Sequence, residues 1–192
     1  MGPAMRLHDF LEFHARVRPA ADFAVMGSRT VSYGEADAAA NRLANAMAAA
    51  GLRVGDRIAV LSKNCIEYLL VYFACAKAGV VPVPLNYRLA PPEWAFILGD
   101  AGARMVIARK ELVHAFAPVK AELKVERFVA IEAEAEGWES LASFTAGCSD
   151  ARPDRGITDE HDLYQMYTSG TTGRPKRSEE HTSELQSRQC IS

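Results

Sequence analysis

The sequence predicts an α/β fold, a mostly parallel sheet flanked by helices, and three observations lead there. Strand-length apolar runs, "RIAVL" (57–61), "RMVIA" (104–108) and "ERFVAIE" (126–132), alternate with longer segments of helical pattern. These runs are apolar at successive rather than alternate positions, the pattern of strands covered on both faces. Helix starts and stops are marked by Ser, Pro and Gly at suitable offsets.

Each element can be justified in turn. Leu7, Phe10 and Leu11, with Phe13, Ala15 and Val17, outline a first helix that Pro19 ends. "FAVM" (23–26) and "RTVSY" (29–33) read as a hairpin turning at Gly27 and Ser28. Ser32 opens a second helix as a capping box: its hydroxyl accepts from the Glu35 N–H, and the Glu35 carboxylate accepts from the Ser32 N–H. Ala36, Ala40, Leu43, Met47 and Ala50 form the apolar stripe, and Gly51 supplies a left-handed stop.

After "RIAVL", Asn64 with Glu67 signals a helix that runs to Gly79. In "VVPVPL" (80–85), Pro82 and Pro84 donate nothing to a ladder, which puts this run at a sheet edge or strand end. "PPEWAFILGDAG" (91–102) is a helix opened by proline, and "KELVHAFAPVKAEL" (110–123) a helix interrupted near Pro118. A polar connection, "TAGCSDARPDRGITDEHD" (145–162), leads to "LYQMY" (163–167), a last strand feeding the loop "TSGTTG" at the carboxyl edge of the sheet.

Composition bounds the function. The chain is 49% hydrophobic and 24% charged, which places it among soluble globular proteins. Its 22 Lys and Arg are interspersed with 24 Asp and Glu, so no basic face for nucleic acid is expected. The most apolar window, "CIEYLLVYFACAKAG" (65–79), is too short to span a bilayer and carries Glu67 and Lys77, so it reads as a core helix and no transmembrane segment is expected. The start shows neither a secretion signal nor a myristoylation motif, and a cytoplasmic location is expected. Cys65, Cys75 and Cys148 lack C-x-x-C spacing and read as small hydrophobes. His8, His14, His114 and His161 lack metal-ligand spacing, Glu132, Glu134 and Glu136 read as a solvated face, and Trp94 and Trp138 as packing residues. Lys63 follows a strand and so lies at a carboxyl end, where a ligand-facing role is open to it.

The chemistry concentrates in "LYQMYTSGTTGRPK" (163–176). Holding a polyphosphate takes converging N–H and O–H donors, a backbone that approaches closely, and a cation. Gly170 and Gly173 let the main chain curl around an oxyanion, and Thr168, Ser169, Thr171 and Thr172 bring hydroxyls. Pro175 stiffens the exit, and the Lys176 charge beside a phosphate oxygen is worth roughly 4 kcal/mol at about 4 Å and an effective dielectric near 20. Neither a Walker loop nor G-x-G-x-x-G fits, because Pro175 stands where the former needs its second Gly. The plainer reading is a flexible Ser/Thr/Gly surface loop.

"YTSGTTGRPK" resembles the phosphate-loop signature of the adenylate-forming (AMP-binding) superfamily. "TVSYGEADAAANRLANAM" (30–47), "VGDRIAVLSKN" (54–64) and "AKAGVVPVPLNYRL" (76–89) match further family segments in order, so the likeness runs over residues 6–176. "PLNYRL" is closer to the acyl-CoA synthetase branch than to the peptide-synthetase branch. The resemblance implies ATP-dependent activation of a carboxylic acid, a fatty acid first among them, to an acyl-adenylate that coenzyme A intercepts, with Mg2+ accompanying the ATP. It implies that Thr168, Ser169, Gly170, Thr171, Thr172, Gly173 and Lys176 hold the β- and γ-phosphates and the departing pyrophosphate, with the Thr171 and Thr172 hydroxyls closest. No residue present is expected to transfer a proton or ligate metal.

The resemblance also implies what should follow the loop: "P-K-G", a helix, the acyl pocket, the adenine contacts, the metal-binding acid, and a small C-terminal domain with a catalytic lysine. Here Arg177 begins "RSEEHTSELQS", which resembles a translated sequencing-library adapter. Residues 1–176 are therefore expected to be a partial N-terminal AMP-binding domain, inactive alone and with the small C-terminal domain absent, and residues 177–192 a non-native tail. Two alternatives stay open: an adenylating enzyme for aryl or amino acids, and a short non-catalytic nucleotide-binding α/β module.

Overall fold

The computed structural model describes residues 6–169 and 175–181. Five strands form one parallel sheet: β3 (Arg57–Leu61), β4 (Val81–Pro84), β5 (Met105–Arg109), β6 (Arg127–Ile131) and the short β7 (Glu139–Ser140), in the order β4-β3-β5-β6-β7. Two antiparallel hairpins are separate from its hydrogen-bonded ladder, β1 (Asp22–Met26) with β2 (Arg29–Ser32), and β8 (Asp162–Ser169) with β9 (Pro175–His181). The helices are α1 (Leu7–Val17), α2 (Tyr33–Ala49), α3 (Ile66–Ala78), α4 (Pro91–Ala101) and α5 (Leu141–Thr145).

The unbroken apolar strands do what such runs require, packing on both faces of the sheet. Ile58, Val60, Met105, Ile107, Val129 and Ile131 join α1, α2, α3 and α5 in one core. Ala59, Leu61, Val83, Val106, Ala108 and Ala130 face the second, built with Trp94, Ile97 and Leu98 of α4 and with Phe116. Alternation along each strand thus feeds two layers of helix.

Local signals largely place the elements. Ser32 caps α2 by accepting from the Glu35 N–H at 3.3 Å, and its own N–H donates to Glu35 Oε2 at 2.8 Å. Ala36, Ala40, Leu43 and Met47 are buried on its stripe, whereas Ala50 is half-buried. Gly79 ends α3 in the left-handed conformation, φ 69°, where a Cβ would collide with Ile157 Cδ1.

Four expectations need correction. The cap of α3 is Cys65, not Asn64, and its side chain makes no capping bond; Glu67, expected to complete the start signal, turns inward to pair with Arg29. Residues 110–123 form two 3₁₀ turns, Val113–Phe116 and Lys120–Glu122, rather than an interrupted α-helix, since Pro118 lies between them without an N–H to give. The face that α1 buries is His8 and Leu11, while Phe10, Phe13 and Val17 are exposed. The loop-bearing strand β8 lies beside β4 but is not laddered into the parallel sheet among the described residues.

Prolines explain that last point. The N–H groups of Val81 and Leu85 donate to Asp56 O at 2.8 Å and Val60 O at 2.9 Å, so the odd-numbered amides of β4 face β3. Pro82 and Pro84 occupy the alternate positions, where the outward edge then has no N–H to offer a neighbour. β4 is accordingly the sheet's edge, as expected of "VVPVPL".

Candidate functional site

The hydroxyl-rich sequence lies between strands β8 and β9 in the chain. β8 and β9 pair antiparallel with Thr168 opposite Lys176 and Ser169 opposite Pro175, so the register brings the loop's two ends together. Of the residues expected to bind phosphate, Thr168 is exposed at the end of β8, and Ser169 and Lys176 are placed by their backbone in the two strands. Gly170, Thr171, Thr172 and Gly173 lie outside the described residues. The chain passes from Pro175 into a strand and not a helix, and β9 includes residues 177–181, the start of the segment expected to be a non-native tail.

A chain of side chains ties β8 to the rest of the molecule. Gln165 is fully buried; its Oε1 accepts from Arg57 Nε at 3.3 Å, and its Nε2 donates to Tyr167 Oη at 2.9 Å. Tyr167 Oη in turn donates to Asp100 Oδ2 of α4 at 2.5 Å. Sequence reasoning missed this, because "LYQMY" gives no hint of partners 108 and 67 residues distant.

The polar connection before β8 is fastened just as firmly. Asn41 donates to Asp150 O at 2.9 Å, and Asn45 to Ser149 O at 2.8 Å and Ala151 O at 3.0 Å, satisfying carbonyls that helical structure does not. A cleft of about 320 Å³ is lined by Arg6, His8, Glu12, Lys77, Arg152 and Arg155, among others, and does not reach Thr168. Its cations are engaged: buried Lys77 lies 2.7 Å from Glu12 and 2.9 Å from Asp37, Arg152 is 3.0 Å from Glu12, Arg6 chelates Asp9 at 2.8 Å, and Arg155 donates to Leu52 O at 2.9 Å. The cleft is a latch between α1, α3 and the connection, with no cation to spare for an anion. His8 in its wall is pushed down to about 4 by burial, against the opposing pull of Glu12.

Lys63, weighed as a ligand-facing residue, has its ammonium 5.7 Å from the centre of the Tyr87 ring. Trp94 and Trp138 both pack on Phe116, as their packing role requires. Among the described residues no three His, Cys, Asp or Glu side chains converge to hold a metal ion, and no helix is long and apolar enough to cross a membrane.

With this geometry in place, comparison with known proteins decides the family: the model of the AMP-binding enzyme family matches residues 11–178. The chain belongs to the AMP-binding enzymes. Its relatives put this AMP-binding chain on the acyl-CoA synthetase branch of the adenylate-forming superfamily, among acid–thiol ligases. It is 40% identical over 168 residues to the fatty acid–[acyl-carrier-protein] ligase ScoC of Streptomyces coeruleorubidus, covering 85% of this chain and 30% of that protein. It is 38% identical over 162 residues to a feruloyl-CoA synthase of Amycolatopsis sp, covering 84% and 30%. Its fold superimposes on the anthranilate CoA ligase AuaEII in complex with anthranoyl-AMP with a TM-score of 0.89 at 25% identity, over 96% of this chain and 36% of that one. The chain therefore spans about 30% of the length of the curated relatives it matches.

Proposed function

We propose that this chain is the N-terminal part of an enzyme that activates a carboxylic acid with ATP and passes the acyl group to a thiol. The observation that carries the reading is the pairing of Thr168 with Lys176, which brings together the two ends of the hydroxyl- and glycine-rich sequence, within a family match over residues 11–178. A carboxylate oxygen attacks the α-phosphorus of ATP, the bond to the β-phosphate bridge breaks, and pyrophosphate leaves. The thiol sulfur then attacks the acyl carbon and AMP departs.

In this reading Thr168, Ser169, Thr171 and Thr172 donate hydroxyl hydrogen bonds to the β- and γ-phosphates. Gly170 and Gly173 let backbone N–H groups approach, and Lys176 offsets the charge of pyrophosphate as it forms. Mg2+ comes with the nucleotide and spreads its negative charge; no residue of this chain is assigned to hold it. The native domain portion is residues 1–176 and the tail 177–192, and the chain alone is inactive. The complete enzyme works in the cytoplasm on small molecules: the acid, ATP and coenzyme A.

A fatty acid is our first choice of substrate, supported by the fatty-acid ligase among the relatives, and an aryl acid is the second, supported by the feruloyl- and anthranilate-activating ones. The 40% identity to a ligase that loads an acyl-carrier protein favours testing that acceptor beside coenzyme A, since both present a thiol. Pyrophosphate exchange by the full-length protein, driven in turn by fatty, aryl and amino acids, tests the proposal. Exchange with one acid class followed by thioester formation is expected; ATP binding with no exchange under any acid would favour a non-catalytic nucleotide module.

A further inference from the structure

The structure assigns a positioning role to the side-chain relay Arg57–Gln165–Tyr167–Asp100: we infer that it fixes the register of β8 and thereby the point from which Thr168 enters the nucleotide loop. The inference rests on the reading of that loop as the ATP-binding element.

Three observations carry it. The edge of β4 that faces away from β3 has Pro82 and Pro84 where donors would stand, and among the described residues β8 is not laddered into the parallel sheet. Main-chain pairing with the sheet therefore does not set how far β8 slides along it. Gln165 and Tyr167 are two residues apart and share one face of the strand, together with buried Leu163, while exposed Met166 and Thr168 lie on the other. A slip of one residue would turn the wholly buried Gln165 amide outward and exchange the two faces. The third observation is Asp100, an acid in the last turn of α4, where the helix dipole disfavours negative charge. Its carboxylate accepts from Tyr167 Oη, an interaction that ties α4 to the residue immediately before Thr168.

The relay thus joins the start of β3, through Arg57, to the end of α4, through Asp100, and holds β8 between them. These are positioning residues: they orient the loop's entry strand and touch no reacting atom.

The test uses the full-length protein with Tyr167→Phe, Gln165→Leu, Asp100→Ala and Asp100→Asn, and the double variant Asp100→Ala with Tyr167→Phe. In acid-driven pyrophosphate exchange, Tyr167→Phe and Asp100→Ala should each raise the KM for ATP about threefold to tenfold, the range of one hydrogen bond, and leave the KM for the acid unchanged. Asp100→Asn keeps an acceptor oxygen and should restore the wild-type KM, and the double variant should be no worse than the worse single one. Amide hydrogen exchange over β8 should quicken in Tyr167→Phe and Asp100→Ala while the strands of the parallel sheet keep their protection. An unchanged KM for ATP in both singles, additive effects in the double, or unaltered β8 exchange overturns the inference; Gln165→Leu, should it fail to fold, does not weaken these arms. A wild-type protein with no pyrophosphate exchange refutes the proposed function instead, and the β8 amides then decide the relay by themselves.

Discussion

Lys77 shows how a residue inside a recognisable segment can serve the scaffold rather than the chemistry. It stands in "AKAG", a stretch that resembles the family pattern, yet its side chain is 1% exposed and is held by Glu12 and Asp37 from two other helices. Removing the ammonium leaves two carboxylates without their shared cation, so Lys77→Met should lower stability by about 3 kcal/mol, read from the urea midpoint. His8 gives a pH signature. Below its ordinary value of 6.5 the unfolded chain takes up a proton that the folded protein refuses until about 4. Stability should therefore fall as pH drops through that window, by up to about 3 kcal/mol, and His8→Leu should flatten the slope. Arg6, Asp9, Glu12 and Lys77 all act on this imidazole, so the comparison belongs between variants at matched pH. What was legible at this scale was local: the Ser32–Glu35 box closes over three residues, whereas Lys77 and Glu12 are 65 apart and nothing in either neighbourhood announces the pair.

At the scale of elements, some Gly and Pro signals are legible in the sequence: Gly51 and Gly79 follow helix ends at positive φ, and Pro82 and Pro84 lie in the edge strand β4. Gly79 is the sharpest case, since it needs a positive φ and has Ile157 against the place of its missing Cβ. Gly79→Ala should cost about 1–2 kcal/mol from the left-handed backbone alone, and more from the displaced connection, measured as a lowered unfolding midpoint. Ser32→Ala should cost about 1 kcal/mol and fray the first turn of α2, measured by amide exchange at Glu35. Strands β3, β5 and β6 were legible because burial on both faces imposes an apolar run. The short pieces were not: β7 has two residues and α5 five, and α5 is defined mainly by Ser140 accepting from the Ser143 N–H at 3.1 Å. The expected helix over residues 110–123 failed because the first 3₁₀ turn alone brings Val113 and Phe116 to the same core, while the second, after Pro118, buries none of its residues.

For the whole molecule, the family was legible because four ordered segments carry backbone-specific residues, and the α/β class followed from alternation alone. The setting of the loop was less so. An ordinary parallel sheet would have placed it at a strand-to-helix junction on the sheet's carboxyl edge; instead a separate antiparallel hairpin stands beside the proline-blocked edge strand β4. We propose that the residues between β8 and β9 hold the polyphosphate of ATP while a carboxylic acid is activated. The most direct test replaces residues 168–173 of the full-length protein with a Gly/Ala linker of equal length and measures acid-dependent pyrophosphate exchange, with thermal unfolding as the control for folding. The variant should fold while its exchange falls about a hundredfold or more; exchange at the wild-type rate from the folded variant would rule out a phosphate-holding role for these residues.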